Sequence, residues 1–387
     1  MRVGLVIYGS LETLTGGYLY DRKLAEHLSA HGDDVEVISL PWRNYVRHLC
    51  DNVSSSLAGR LEGTPFDVLV QDELNHPSLV LMNRRLKSRS QYPIVAVVHV
   101  LRVNEHGESP LRPLYAVAEQ RYLASVDAAV FCCEATRAAA EGLVGHSMPG
   151  VVVHPACDHL APRAPEGETV MRARQTGPPA GAGDPGLDAV DASGPIRVVS
   201  VANVVPRKGL HVLIESLARL PIERWRLTVV GSLTMDPVYV RRVRHLIGHA
   251  GVGSCVELVG AVANSEIPAY LAQSHVLVVP SSYEGLAIAY LEAMRFGLPV
   301  IATTAGGANE VVEHGREGFL VAPGDVESLT RHLGLLLRDR DLLLRMGLAA
   351  RRRVERHPTW EQSLGRARAF LCSTVDSHRR MQGQEAS

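Results

Sequence analysis

Three absences narrow what this 387-residue chain can do before any motif is considered. It has no excess of charge: 40 basic residues stand against 41 acidic ones, for a net charge of −1. A nucleic-acid binder would show a basic surplus. It has no long apolar run: none approaches the roughly eighteen residues of a transmembrane helix. The N-terminal run 3–8 is too short for a signal peptide and fits a first strand. It has no paired cysteine pattern: Cys50, Cys132, Cys133, Cys157, Cys255 and Cys372 show neither CxxC nor a metal-ligand spacing. Buried free thiols in a reducing cytosol follow, and the expected location is cytoplasmic. Lysine is also scarce, with only Lys23, Lys87 and Lys208. That bias fits a GC-rich coding sequence and carries no physical inference.

What is present is an ordinary globular composition, 46% hydrophobic and 21% charged, on a length that favours two or three domains. The most informative stretch is 276–325, VLVVPSSYEGLAIAYLEAMRFGLPVIATTAGGANEVVEHGREGFLVAPGD. It predicts a strand at 276–279, a polar turn at 280–284, a helix at 286–296 stopped by Gly297, and a second strand at 299–302. An unbroken apolar strand is expected where a parallel sheet buries both faces. Ligands of such sheets sit at the carboxyl ends of the strands, where helix N-termini present unpaired N–H groups.

Two carboxylates mark the stretch, Glu284 and Glu292, separated by roughly 12 Å of helix rise. They are too far apart to act on one bond as an acid–base pair, for which about 5–9 Å is usual. They suit the two ends of a long ligand whose anionic middle lies over the amides of Gly285, Leu286 and Ala287. A nucleotide diphosphate sugar has that shape. The same glutamates also fit a helix cap and a solvated helix position.

Glu284 to Glu292 as Glu-x7-Glu, the run LEAMRFGLPVIAT, then Gly306, Gly307 and Glu310, resembles the retaining glycosyltransferases of family 4. The resemblance implies an α/β chain with the GT-B fold, two Rossmann-like doubly wound domains facing a central crevice. It implies that Glu284 contacts the donor sugar hydroxyls and Glu292 the ribose hydroxyls. The chain departs from the family at Ala287, where glycine is usual.

Along the rest of the chain, RVGLVIY at 2–8 predicts a first strand, followed by a loop through Gly16 and Gly17, a helix from about residue 18 and a strand at 35–40. The dinucleotide fingerprint GxGxxG is absent. The resemblance places Gly16 and Gly17 against the donor phosphates and the acceptor. The segment 41–63 mixes aromatic and basic residues, Trp42, Arg43, Tyr45, Arg47 and His48, and is expected as a solvated helix. Strands are predicted at 68–70, 94–98, 128–132 and 151–153. His99 follows the second of these at a strand's carboxyl end, and the resemblance brings it near the donor sugar. Residues 161–195 are rich in Pro, Gly and Ala without a periodic apolar face and predict a disordered linker.

The second half opens with a strand at 196–201 and ANVVPRKGLHVLIESLARL. Arg207 and Lys208 suit a diphosphate, one as a planar fork and the other as a point charge. Two exposed loop cations would look the same, but PRKG after a strand recurs in the family, where both bind phosphate. The family usually has arginine where Asn203 stands. AVANSEIPAYL resembles its base-binding stretch, with backbone groups near Val262 meeting the base. The expected domains are 1–160, acceptor-binding; 161–195, linker; 196–357, nucleotide-sugar-binding; and 358–387, a closing helix returning to the first domain.

The implied activity is transfer of a hexose from a nucleotide diphosphate, UDP being the commonest in the family, by front-face attack. No Asp-x-Asp and no histidine cluster in a loop is available to hold a metal, so no cofactor and no metal are expected. The partners expected are the donor and a small-molecule, glycan or lipid-linked acceptor, with peripheral membrane contact left open and no nucleic acid. A phosphorylase would need a pyridoxal lysine in the second half, where Lys208 alone stands. A nucleotide-sugar epimerase and a non-catalytic nucleotide-sugar-binding or scaffold subunit remain as alternatives.

Overall fold

A computed structural model of the chain describes residues 1–88, 92–105, 109–160 and 194–385. The expected linker lies outside the described residues apart from its last two. The chain forms two compact units, one of Met1–Pro155 with Pro358–Ser387 and the other of Ala156–His357.

The N-terminal unit is built on a six-stranded parallel sheet. Its strands are β1 (Arg2–Tyr8), β2 (Asp34–Leu40), β3 (Val68–Asp72), β4 (Ile94–Val98), β5 (Ala128–Phe131) and β6 (Gly150–Val152). They are ordered β2-β1-β3-β4-β5-β6. Every residue of β3, β4 and β5 is buried, which explains the unbroken apolar runs of β4 and β5, while β3 ends in the buried polar pair Gln71 and Asp72. Right-handed crossovers put the helices before and after the reversal on opposite faces of the sheet. The reversal lies between β1 and β3. Helix α1 (Gly16–Ala30) starts after β1, with Thr15 as its cap accepting from the Tyr18 amide.

Segment 41–63 is not the solvated helix expected. It forms α2 (Tyr45–Leu49), a 3-10 turn (Cys50–Val53) and α3 (Ser55–Gly63), and buries His48, Asp51, Asn52, Leu57, Ala58 and Leu61. Its polar residues are held inside by partners. Asn52 Nδ2 donates to the Pro77 carbonyl at 2.7 Å and its Oδ1 accepts from the Leu81 amide at 2.7 Å. Asp51 accepts from Ser78 at 2.8 Å, and His48 stacks on Tyr8 with ring centroids 4.0 Å apart. The partners come from α4 (His76–Lys87) and β1, so the segment's own composition could not reveal its burial. The remaining helices of this unit are α5 (Arg102–Glu105), α6 (Arg112–Leu123) and α7 (Glu134–Val144).

In the second unit β7 (Ile196–Val201), β8 (Trp225–Val230), β9 (Val256–Gly260), β10 (Val276–Val278), β11 (Val300–Thr303) and β12 (Gly318–Val321) form another six-stranded parallel sheet, ordered β12-β11-β10-β7-β8-β9. Within the unit this is the 3-2-1-4-5-6 order of dinucleotide-binding sheets, reversing between β7 and β10. Its helices are α8 (Leu210–Ala218), α9 (Pro237–His249), α10 (Ile267–Ala272), α11 (Ile288–Arg295), α12 (Val326–Arg338) and α13 (Arg340–Glu355). Trp225, Leu213, Leu217, Val243, Leu329 and Leu333 are central to its apolar core. The last helix, α14 (Trp360–Glu385), belongs to the N-terminal unit. Its buried residues Trp360, Leu364, Ala367, Leu371 and Val375 recur at helical spacing, and Arg368 pairs with the buried Asp33 at 2.7 Å.

Candidate functional site

The reversal in the second sheet brings together the loops after β7 and β10. Arg207 and Lys208 occupy a 3-10 turn (Pro206–Lys208) closed by Gly209. Gly209 has φ +68°, and a Cβ there would lie 2.0 Å from the Pro280 carbonyl, so only glycine lets the two loops touch. The contact is sealed by the Ser282 amide donating to the Arg207 carbonyl at 2.8 Å.

At this contact Glu284 is buried between the two cations. Arg207 Nη1 donates to Glu284 Oε1 at 3.2 Å and to the Tyr283 carbonyl at 3.1 Å. Lys208 Nζ and Ser281 Oγ, the latter at 3.1 Å, both donate to Oε2. Burial alone would raise the Glu284 pKa, but Lys208 and Arg207 overturn that and hold it down to about 2. The three side chains therefore carry one net positive charge, on a buried carboxylate and two half-buried cations, where an anion is attracted more strongly than in open water.

The predicted helix start at 286 is two residues early. Glu284 bridges Gly306, whose φ is +107° and whose Cβ would lie 1.6 Å from the Glu284 carbonyl. The Gly307 amide donates to the Gly285 carbonyl at 2.7 Å. This holds 284–287 extended, and Ala287 becomes the residue before the first helical one. No hydrogen bond from the amides of Gly285, Leu286 or Ala287 forms among the described residues. Glu292, on α11, is buried and faces His159 Nε2 at 3.1 Å, a residue that sequence reasoning did not single out. Asn203, where the family has arginine, accepts from the Ser232 amide at 2.9 Å and ties the loop after β7 to that after β8. Val262 stands half-buried in the loop after β9. The second unit thus groups Arg207, Lys208 and Glu284 tightly and gives Glu292 a separate partner.

The remaining predicted residues, Gly16, Gly17 and His99, belong to the N-terminal unit. A Cβ on Gly17 would touch the His99 ring at 3.4 Å. His99 Nε2 lies 2.9 Å from Oδ1 of the fully buried Asp21, and Asp72, ending β3, completes a group whose polar atoms fall within 4.8 Å of one another. Burial would lower the His99 pKa, but Asp21 and then Asp72 raise it to about 10, so the ring is an imidazolium at neutral pH. Asp72 is pushed up to about 7 by burial and by Asp21.

Beside it lies a second buried group, Glu73, His76 and Glu119. Glu119 accepts from the Val103 amide at 2.9 Å and also from the Arg102 amide, so it caps α5. Burial drives Glu73 up to about 8 and Glu119 up to about 9, and lowers His76 to about 4. No sequence spacing announces either group, because their members come from α1, β3 and the loops and helices that follow it.

The two doubly wound sheets, one with a cationic loop contact at its reversal, define the class as GT-B. Comparison with known proteins gives the family. Residues 13–156 match the model for a glycosyl transferase 4-like domain and residues 189–353 that for glycosyl transferases group 1, together well over half of the 387 residues. The chain belongs to the GT-B glycosyltransferases of the family 4 type.

A GDP-mannose-dependent alpha-(1-6)-phosphatidylinositol monomannoside mannosyltransferase of Mycobacterium tuberculosis is 34% identical over 183 residues, covering 45% of this chain and 46% of that protein. An MMP alpha-(1->4)-mannosyltransferase of Mycolicibacterium hassiacum is 35% identical over 168 residues, 43% of this chain and 40% of that one. The matched region thus spans about half the length of the curated relatives or less. Among solved structures, sucrose-phosphate synthase from Thermosynechococcus elongatus superposes with a TM-score of 0.76 at 20% identity, over 99% of both chains. Anabaena HepE in complex with UDP and glucose does so with a TM-score of 0.73 at 20% identity, over 96% of this chain and 100% of that one. Such likeness carries the fold.

Proposed function

We propose that the protein is a retaining hexosyltransferase that takes its sugar from a nucleoside diphosphate, without a metal, in the cytoplasm. The observation that carries this reading is the Arg207–Lys208–Glu284 group at the reversal between β7 and β10, the place where an open α/β sheet takes its ligand. As the bond between the anomeric carbon and its leaving oxygen breaks, negative charge gathers on the β-phosphate. Arg207 and Lys208 answer that charge, with the amides of Gly285, Leu286 and Ala287 as further donors.

The acceptor hydroxyl attacks from the face the phosphate leaves and passes its proton to that phosphate, so configuration is kept. Glu284 takes the sugar hydroxyls, Glu292 the ribose hydroxyls and the backbone at Val262 the base. We assign Gly16 and Gly17 to the phosphates and acceptor, and His99, as a charged donor, to the sugar. The acceptor is a small molecule, a glycan or a lipid-linked sugar. For the nucleotide, the names of the curated relatives favour GDP over the UDP commonest in the family.

Calorimetry with UDP and GDP on wild type, Lys208→Ala and Glu292→Ala tests this. One nucleotide is expected to bind at micromolar level, and to weaken tenfold or more (about 1.4 kcal/mol) in both variants. Failure of both nucleotides to bind wild type would overturn the reading in favour of a scaffold subunit. Slow hydrolysis of the donor sugar without acceptor distinguishes a transferase from a pure binder.

A further inference from the structure

In the N-terminal unit α14 packs on α1, and part of that contact consists of two histidines and a glutamate. His27 and His31 stand one turn apart on α1, so their rings share a face, with centroids 4.1 Å apart. Glu361, in the first turn of α14, meets both. Its Oε2 lies 3.2 Å from His27 Nδ1 and its Oε1 3.3 Å from His31 Nε2. The three ligand atoms fall within 4.8 Å of one another.

Hydrogen bonding decides the state of His31. Its Nδ1 lies 2.8 Å from the His27 carbonyl oxygen, which can only accept, so Nδ1 carries the proton. Nε2 is then the nitrogen that faces the Glu361 carboxylate, placed to share a bound cation with it. An Nδ1–H bound to a backbone carbonyl is also how metal-ligating histidines are usually oriented. His27 is 7% exposed and turns Nδ1 toward Glu361, and its Nε2 has no hydrogen-bond partner among the described residues. Two ligand atoms about 2.0–2.1 Å from a tetrahedral ion lie roughly 3.3 Å apart, which matches the observed separations. The neighbouring cation, Arg368, is engaged with Asp33 at 2.7 Å.

We propose that His27, His31 and Glu361 form a binding site for a divalent cation of the zinc class, which fastens α14 to α1. Imidazole and carboxylate ligands suit zinc, and three protein ligands leave the remaining position to water. This site is separate from the donor-binding residues and does not depend on how they work.

The test is calorimetric titration of the untagged, chelator-stripped full chain with zinc chloride near neutral pH, followed by cobalt as a spectroscopic probe. One zinc per chain is expected, with the strong visible absorption of four-coordinate cobalt and a raised melting temperature. His31→Ala and Glu361→Gln should each weaken binding tenfold or more and abolish the melting shift. Both residues are exposed, at 39% and 69% of their side chains, so neither change threatens folding. His245 and His249 on α9 form another pair four residues apart, with ring centroids 6.4 Å apart and no third ligand group among the described residues. Changing both to alanine should leave the titration unchanged. Absence of saturable zinc binding to wild type, or full binding to the His31→Ala/Glu361→Gln variant, would overturn the proposal.

Discussion

Each sheet reverses its strand order once, and beside each reversal carboxylates are buried, but the two units treat them in opposite ways. In the second unit Glu284 is pressed between Arg207 and Lys208 and stays ionised far below the ordinary carboxyl range. In the N-terminal unit Glu73 and Glu119 form no ion pair with an arginine or lysine among the described residues, and burial pushes them up to about 8 and about 9. Burial acts alike on all three. The difference lies in whether an adjacent loop supplies a cation. A contact that holds a carboxylate ionised beside two cations is ready for an anion, whereas a neutral, shared-proton group ties helices together. This is why we place the donor chemistry on the second sheet.

The largest effect should come from removing one cation. Lys208→Met keeps the side chain's length but leaves Glu284 buried with Arg207 alone. Loss of one partner of a buried carboxylate costs about 3 kcal/mol. Turnover should fall by roughly a hundredfold or more, because a charge-stabilising donor is gone as well. Urea unfolding and steady-state kinetics measure the two separately. An unchanged midpoint would mean that Glu284 does not depend on Lys208, and the contrast between the units would fail.

The pH dependence of stability sharpens the same comparison. Glu284 has a folded pKa below its ordinary value of 4.5, so its contribution is present above 4.5 and is lost as pH falls toward 2. Glu73 and Glu119 have raised folded values, so theirs is fully present below 4.5 and is lost as pH rises through about 8 and 9. Glu119→Gln should therefore flatten the decline of stability between pH 6 and 8, by about 1.4 kcal/mol per pH unit at most. Glu284→Gln should alter only the acid side. Melting curves across pH check both, and a Glu119→Gln profile parallel to wild type would remove the protonated group from the account.

The contrast also explains what was legible in the sequence. The second unit's contact is written in two short local motifs, PRKG and Glu-x7-Glu, each following a strand, and the strand before the second is an unbroken apolar run. The groups in the N-terminal unit join Asp21, Asp72 and His99, far apart in the chain, or bring the distant Glu119 to the neighbours Glu73 and His76. Among these only His99 stood out, by its place after a strand. Segment 41–63 reads as solvated from its aromatic and basic residues, and the partners on α4 that bury Asn52 and Asp51 lie too far along the chain to show in its composition. The start of α11 was misplaced because Leu286 and Ala287 suit a helix, while the bridge from Glu284 to Gly306 keeps them extended.

A smaller effect is expected at Asn203. Because its Oδ1 accepts from the Ser232 amide, Asn203→Ala should cost about 1 kcal/mol of stability. Nucleotide affinity should stay unchanged if the residue serves the loop contact and not the phosphate. Unfolding and calorimetry on the same sample answer this, and a stable variant with weakened binding would reverse the assignment.

The smallest effect concerns His159. It meets Glu292 on one carboxylate oxygen. Removing it frees the carboxylate to rotate and, under the proposed reading, deletes no group assigned to the nucleotide. His159→Ala should therefore raise the nucleotide Kd only about fivefold, near 1 kcal/mol. That loss should shrink for the 2′-deoxy nucleotide if Glu292 holds the ribose, since the misdirected carboxylate then has one fewer hydroxyl to miss. Equal losses for the two nucleotides would show that His159 acts on the fold of α11 and not on ribose recognition.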